Sequence, residues 1–264
     1  QVMRAFEAGW GGAVWKTLGD PIINVSSRLG GLHYRKSRLI GMSNIELISD
    51  RPIAESLREI REVKRRYPDR AELVSLMVES TREAWREWIK RVEDTGCDGL
   101  ELNFSCPHGM VERGMGASIG QVPEYSRMIT EWAREFATVP VLVKLSPNVT
   151  DIRYPGRAAV QGGADGLALI NSIASLIGVD VDNLDPIPHV RGMGSRGGYT
   201  GPAIKPIALN MVATLAEDPE VTVPISGIGG ISNWSDALEF ILLGATTVQV
   251  CTAVVLNGYE VIGE

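Results

Sequence analysis

The strongest constraint on the fold is an alternation of two kinds of segment. Short runs rich in Val, Ile and Leu lie at about 12–17, 72–77, 98–103, 140–145, 165–170, 222–226 and 246–250. They are too short for helices and nearly continuous in apolar character, as strands buried on both faces are. Longer amphipathic stretches separate them, at 52–66, 81–94, 121–136, 151–162, 202–216 and 232–243. Pro52 suits a first helical turn, and Arg and Lys crowd the end of that stretch. Thr81 reads as an N-cap. Glycines stand where three of the helices close and the next strand opens, at Gly96-Cys97-Asp98-Gly99, Gly162-Gly163-Ala164-Asp165-Gly166 and Gly244-Ala245. There they supply the left-handed residue that ends a helix.

Strand–helix alternation of this kind predicts an α/β protein with a parallel sheet and helices outside it. Two arrangements compete, an open doubly wound sheet and a closed (β/α)8 TIM barrel. An open nucleotide-binding sheet carries its Gly-rich turn after the first strand. The first strand's exit, Trp15-Lys16-Thr17-Leu18-Gly19, has no such turn. The glycine cluster follows the penultimate strand instead, which favours the barrel. Seven strands are legible rather than eight, and Gln1 to Phe6 reads as the inside of a helix. The expectation is one barrel domain over 1–264, lacking its first strand and its last helix. No repeat, charge block or Pro-rich linker divides the chain. The long connections at roughly 18–51 and 171–201 are candidate active-site loops.

Composition narrows the function. The 26 basic and 32 acidic residues give a net charge of −6, which argues against a nucleic-acid binder. No apolar run approaches the roughly 20 residues a membrane helix needs. An odd count of 3 cysteines suits a reducing cytoplasm rather than a disulfide scaffold. No spacing of His, Cys and carboxylates makes a metal site, and no four-cysteine cluster motif is present.

Polar residues collect at strand C-termini, where a barrel builds its active site: Lys16, Asn103, Lys144 and Asn171. A buried Lys there is either half of a structural ion pair or a functional cation. Ser226-Gly227-Ile228-Gly229-Gly230 can turn backbone N–H groups inward around a phosphate, and Cys251-Thr252-Ala253 can add more. The alternative is a tight turn and helix cap without a ligand. Cys106 sits three residues beyond Asn103 and is either a loop thiol acting as a general acid or a free buried cysteine. His108 fits hydrogen bonding within its loop, and His33 and His189 carry no signal. Cys97 and Cys251 read as packing or backbone residues. Asn44 and Glu46 lie in an expected loop before a helix. They can hold an amide edge, although a helix cap with a solvated charge accounts for them equally.

These stretches together carry a resemblance. AFEAGWGGAVWKT, NIELISDRP, LELNFSCPHGMVERGMG, VKLSPNVTDI, GGADGLALINS, TGPAIKPIAL and GIGGI with VQVCTA resemble the flavin-binding barrel of dihydropyrimidine dehydrogenase, within the dihydroorotate dehydrogenase superfamily. The resemblance implies a cytoplasmic FMN oxidoreductase that reduces the 5,6 double bond of uracil or thymine. Dihydroorotate oxidation on the same barrel is the alternative. It implies Cys106 as proton donor. Lys16, Thr17, Asn103, Lys144, Gly201, Gly227, Gly229, Gly230, Cys251, Thr252 and Ala253 would hold the flavin. Asn44, Glu46, Asn103, Asn171 and Ser172 would hold the pyrimidine. Position 172 departs from the family's Thr. The chain has neither an iron–sulfur motif nor a nicotinamide fingerprint. The resemblance therefore implies an oligomeric assembly with an NAD(P)H-oxidising flavoprotein subunit, with iron–sulfur clusters on that partner or on a part outside this chain. A phosphate-binding isomerase or lyase and a catalytically silent assembly subunit are the readings without flavin chemistry.

Overall fold

A computed structural model describes residues 1–20, 29–32, 41–45, 48–105, 115–187, 189–190, 193–194 and 196–263. The chain opens with α1 (Val2–Ala8), β1 (Gly12–Leu18), β2 (Leu29–Leu32), β3 (Gly41–Asn44) and α2 (Ile53–Arg66). Next come β4 (Ala71–Leu76), α3 (Arg82–Glu93), β5 (Gly99–Asn103), α4 (Ala117–Gly120) and α5 (Pro123–Phe136). β6 (Val141–Lys144), α6 (Arg153–Gln161) and β7 (Gly166–Leu169) continue the alternation. Five short strands and one longer follow: β8 (Ile173–Ser175), β9 (Gly178–Asp180), β10 (Asp185–Ile187), β11 (His189–Val190), β12 (Met193–Gly194) and β13 (Gly197–Thr200). A 3-10 turn at Pro202–Ile204 leads into α7 (Lys205–Ala216), β14 (Ile225–Ile228) and α8 (Trp234–Leu242). β15 (Thr247–Gln249), α9 (Thr252–Asn257) and a 3-10 stretch at Tyr259–Gly263 close it.

Seven strands form one parallel sheet in the order β1-β4-β5-β6-β7-β14-β15. They are the seven strands expected from the apolar runs. Each strand is followed by its helix before the next strand joins, the βα alternation of a barrel wall. The strands divide their side chains by the two-residue period of extended chain. Val74, Leu76, Leu100, Leu102, Val141 and Val143 are fully buried, packed in one cluster with Ile60 of α2, Trp85 and Ile89 of α3 and Ile129 of α5. The alternate positions carry Ser75, Glu101, Asn103 and Lys144. The same parity continues in Ala168, Ser226 and Gln249 through the ladder registers. One face of the sheet therefore holds the apolar core and the other gathers polar groups.

The helix ends behave as their residues require. Thr81 caps α3, its Oγ1 accepting the Ala84 N–H. Gly96, Gly163 and Gly244 take φ of 83°, 90° and 104° at the turns into β5, β7 and β15.

Three expectations need correction. The strand anticipated at 222–226 runs from Ile225 to Ile228. Pro224 has no N–H to give a ladder, although its carbonyl accepts the Leu167 N–H at 2.9 Å. The long connections are not plain loops. β2, β3, β13 and β8 pair antiparallel into a second, four-stranded sheet, and β9–β10 and β11–β12 form small hairpins. Asn44 consequently ends a strand instead of lying in a loop. The second sheet depends on close backbone approach at β13. A Cβ on Gly197 would lie 2.1 Å from Ser43 Oγ, and one on Gly198 would lie 2.0 Å from Ser172 Oγ.

Glu72 is fully buried on β4. The Trp15 indole N–H donates to its Oε2 at 2.9 Å, while Oε1 has no hydrogen-bond partner. Desolvation raises its pKa. A carboxyl held neutral in the fold keeps its proton at pH values where the unfolded chain has released it. Stability therefore falls as pH rises through that window. We predict that Glu72→Gln raises the melting temperature at pH 8 and leaves it nearly unchanged at pH 4, measured by thermal denaturation at both pH values.

Candidate functional site

Asn103 ends β5, and the ladder places it beside Lys144 at the end of β6. The Asn103 side chain is buried and fully engaged. Its Nδ2 donates to Thr17 Oγ1 at 3.1 Å, and Thr17 Oγ1 lies 2.9 Å from Ser75 Oγ. Its Oδ1 accepts from the Ser105 N–H at 3.3 Å, Ser105 Oγ at 3.1 Å and Asn171 Nδ2 at 3.1 Å. Asn171 Nδ2 also donates to Ser105 Oγ at 2.7 Å. Thr17, Asn103 and Asn171 come from three strand ends, and one hydrogen-bonded cluster brings them together.

Ser172 joins this cluster, its N–H donating to Asn171 Oδ1 at 2.8 Å. Gly198 packs against Ser172, and Asn44 lies across the second sheet from Gly198. Asn148, in the loop after β6, holds this segment by its backbone. Its Nδ2 donates to the Ser172 carbonyl at 3.2 Å, and its Oδ1 accepts the Ala174 N–H at 2.8 Å.

Below the amides runs a charged chain. Lys144 Nζ lies 3.3 Å from Glu101 Oε1, and the Glu101 side chain is 1% exposed. Gln249 Nε2 donates to Glu101 Oε2 at 3.3 Å and to Ser226 Oγ at 3.2 Å. Thr247 Oγ1 reaches the same Ser226 Oγ at 2.9 Å. The ion pair expected for a strand-end lysine is thus present at Lys144, and its cation sits at the mouth of the polar face. Lys16 differs from the buried group expected. It lies on edge strand β1 and is exposed.

The glycines converge separately. Gly201, Gly229 and Gly230 take φ of 94°, 138° and 74°. A Cβ on Gly230 would meet the Gly201 carbonyl at 2.9 Å and Lys205 Cβ at 2.8 Å. A Cβ on Gly201 would lie 3.4 Å from both Thr252 Cγ2 and Gly41 Cα. Segments after β13, β14 and β15 therefore meet backbone to backbone, with Thr252 at the edge. The three glycines leave bare backbone at this junction, the kind of segment whose N–H groups can hold an anion. Gly227 has a different reason for being glycine, since a Cβ there would lie 2.6 Å from the Phe240 ring of α8. Ala253 is buried in α9.

Cys97 is buried, and burial pushes its thiol up to about 11. The Cys251 side chain is exposed, which leaves the backbone role of the two read for it. Cys106, His108, Glu46 and His33 lie outside the described residues, as does the side chain of His189. Among the described residues no group of His, Cys, Asp and Glu can hold a metal ion, and no helix is long and apolar enough to cross a membrane.

Sequence reading gave no role to the side chains of Ser75, Glu101, Ser105, Asn148, Ser226 and Gln249. The signal for four of them was a polar residue alternating with apolar neighbours, as in LVSLM, LELN, PISGI and TTVQV. Such a residue faces the side of the sheet opposite the core. As a chemical ensemble the described residues offer amides and hydroxyls that suit a ring rich in C=O and N–H groups, the Lys144 cation, and bare glycine backbone that suits an anion.

The Lys144–Glu101 pair yields a stability prediction. Lys144→Met strands a buried carboxylate and should destabilise the fold by roughly 3 kcal/mol. In a Glu101→Gln background the same change should cost about 1 kcal/mol or less, since no charge is left stranded. Urea unfolding of the four proteins in the cycle measures the difference. A second prediction follows from burial. Iodoacetamide at pH 8 should label Cys251 in the native protein and leave Cys97 unlabelled until denaturant is added, as mapped by peptide mass spectrometry.

A model of the family described as dihydroorotate dehydrogenase matches residues 50–264. The chain is 46% identical over 268 residues to the chloroplastic dihydropyrimidine dehydrogenase (NADP(+)) of Arabidopsis thaliana. That match covers 97% of this chain and 63% of the relative. It is 41% identical over 261 residues to the NAD-dependent dihydropyrimidine dehydrogenase subunit PreA of Escherichia coli K12, with 98% and 63% covered. It is 44% identical over 167 residues to the catalytic subunit of dihydroorotate dehydrogenase B (NAD(+)) of Pyrococcus abyssi, with 63% and 52% covered. The chain thus spans less than two thirds of the length of these relatives. Its fold matches the crystal structure of a dihydroorotate dehydrogenase from Eimeria tenella, in complex with ferulenol, at a TM-score of 0.75 and 19% identity. That match covers 98% of this chain and 74% of the other. The chain belongs to the dihydroorotate dehydrogenase family.

Proposed function

We propose that this chain is the FMN-binding, pyrimidine-reducing part of a dihydropyrimidine dehydrogenase. The observation that carries the reading is the single hydrogen-bonded cluster of Thr17, Asn103, Ser105 and Asn171 beside Lys144. Its donors and acceptors suit a ring edged with C=O and N–H groups. The similarity to two proteins named dihydropyrimidine dehydrogenase, at 46% and 41% identity, supports this substrate class over dihydroorotate.

The residues present fit flavin mononucleotide. Gly201, Gly229 and Gly230 pack so closely against Thr252, Ala208 and Lys205 that only bare backbone fits there, a kind of segment whose N–H groups suit a phosphate, and Thr252 adds a hydroxyl beside it. Lys144 is the cation for the electron-rich side of the ring, and Lys16 is a second. When bound, flavin mononucleotide supplies the hydride that goes to C6 of the pyrimidine. Asn44, Asn103, Asn171, Ser172 and Glu46 orient the pyrimidine through its amide edges. Cys106 Sγ gives a proton to C5, and solvent returns one to the thiolate. Electrons enter from NAD(P)H through a partner subunit, a reading supported by the word subunit in the name of the Escherichia coli relative. The whole chain, 1–264, works as one barrel domain in this scheme.

A reading as a dihydroorotate dehydrogenase is favoured by the family match and by the Pyrococcus relative. One experiment separates the two. The purified protein, reconstituted with flavin mononucleotide and reduced by dithionite, is mixed with uracil, thymine or orotate. We expect the flavin absorbance to return with uracil or thymine and not with orotate. Return with orotate alone would overturn the proposal. Cys106→Ala should bind the flavin normally and slow the pyrimidine-dependent return by at least about 100-fold. An unchanged rate would remove Cys106 from the proton-donor role.

A further inference from the structure

We propose that Lys205 and Asp236 are positioning residues for the phosphate cradle, their ion pair holding Gly201 and the Gly229–Gly230 turn in register. The inference rests on the flavin reading above and adds two residues to it.

The cradle is assembled from separate parts of the chain. Gly201 precedes the 3-10 turn that delivers Lys205 to the start of α7. Gly229 and Gly230 precede Ser232 and the start of α8. One carboxylate joins the two. Asp236 Oδ1 accepts from Lys205 Nζ at 2.6 Å, and Asp236 Oδ2 accepts the Ser232 N–H at 2.8 Å. Ser232 Oγ in turn donates to the Gly230 carbonyl at 3.3 Å. The stem of Lys205 forms the floor under Gly230, where a Cβ would lie 2.8 Å from Lys205 Cβ and 3.0 Å from its backbone N. The pair is therefore pressed against the turn it holds.

Asp236 is itself anchored. Its residue is 8% exposed, and its backbone N–H donates to Asn233 Oδ1 at 3.1 Å. Glu239 Oε2 also approaches Lys205 Nζ at 2.9 Å, but its side chain is 45% exposed. Facing one lysine, these two acids leave the trio with a surplus of negative charge. The trio does not attract a phosphate by charge, so its contribution is geometric.

That sign separates the explanations. Asp236→Asn removes a negative charge near the cradle, and Coulomb attraction alone would make flavin mononucleotide bind more tightly. A positioning role makes it bind more weakly. A merely structural role would weaken flavin mononucleotide and riboflavin alike, because riboflavin has the same ring and lacks the phosphate.

The test is fluorescence titration of the flavin-free chain with each ligand. We expect Asp236→Asn and Lys205→Met to raise the dissociation constant for flavin mononucleotide roughly tenfold while riboflavin moves less than about twofold. Lys205→Arg should restore tight binding, and Glu239→Gln should change neither ligand by more than about twofold. Equal losses for both ligands, or unchanged or tighter flavin mononucleotide binding in both variants, would overturn the proposal. If Asp236→Asn does not fold, Lys205→Met titrated at low and at high salt decides it, since a loss of charge attraction is screened at high salt and a loss of positioning persists. A wild-type chain that binds neither flavin would overturn the flavin reading itself, a failure distinct from a cradle that binds but ignores this pair.

Discussion

The parallel ladder is the constraint on which the rest of the structure depends. β4, β5 and β6 pair so that Ser75 stands beside Glu101, and Asn103 beside Lys144. A slip of one residue in either pairing would turn every side chain of that strand to the other face. Glu101 would then enter the apolar layer, and Leu100 or Leu102 would enter the polar one. Burial of the apolar residues forbids this, so the same interaction that builds the core also aligns the site. Function and stability are two faces of one register.

The two faces meet different physical requirements. The outer face is closed by helices and contributes through burial of Trp85, Ile60, Ile129 and their neighbours. The inner face contains groups that are costly to bury alone, and it meets that cost by linking them. Glu101 is satisfied by Lys144 and Gln249, and Ser226 by Gln249 and Thr247. Four strands contribute to these links, which makes the polar face a cross-brace between parts of the sheet. The second sheet rests on it where Gly198 meets Ser172.

The elements legible in the sequence were those with a strong period. Each of the seven wall strands and the six amphipathic helices announced itself by its apolar pattern, and Thr81 by its cap. β2, β3, β8 and β13 did not, because they are only three or four residues long and carry no apolar alternation, and β13 packs against β3 and Ser172 through Gly197 and Gly198. The site divided along the same line. Asn103, Lys144 and Asn171 stood out because strand ends are where a barrel exposes chemistry. Glu101 and Gln249 did not, because a polar residue inside an apolar run has meaning only once its partner strand is known. Asn148 was hidden for another reason, since its bonds to the Ser172 carbonyl and the Ala174 N–H go to backbone, which no residue pattern marks.

The Asn103 carboxamide has one further consequence. Its oxygen already receives three donors and its nitrogen already serves Thr17. Under the proposed function, a ring arriving at this amide finds its oxygen already occupied. It must take over bonds that Thr17, Ser105 or Asn171 now hold, and the displaced groups must turn to the ring as well. Recognition there is a trade of hydrogen bonds whose net gain is small for each one. Discrimination then comes from how many of the traded partners a given ring can satisfy at once. Under the proposed function, a ring missing one carbonyl or one N–H would leave a buried group of the cluster without a partner, and it would be refused for what it fails to replace.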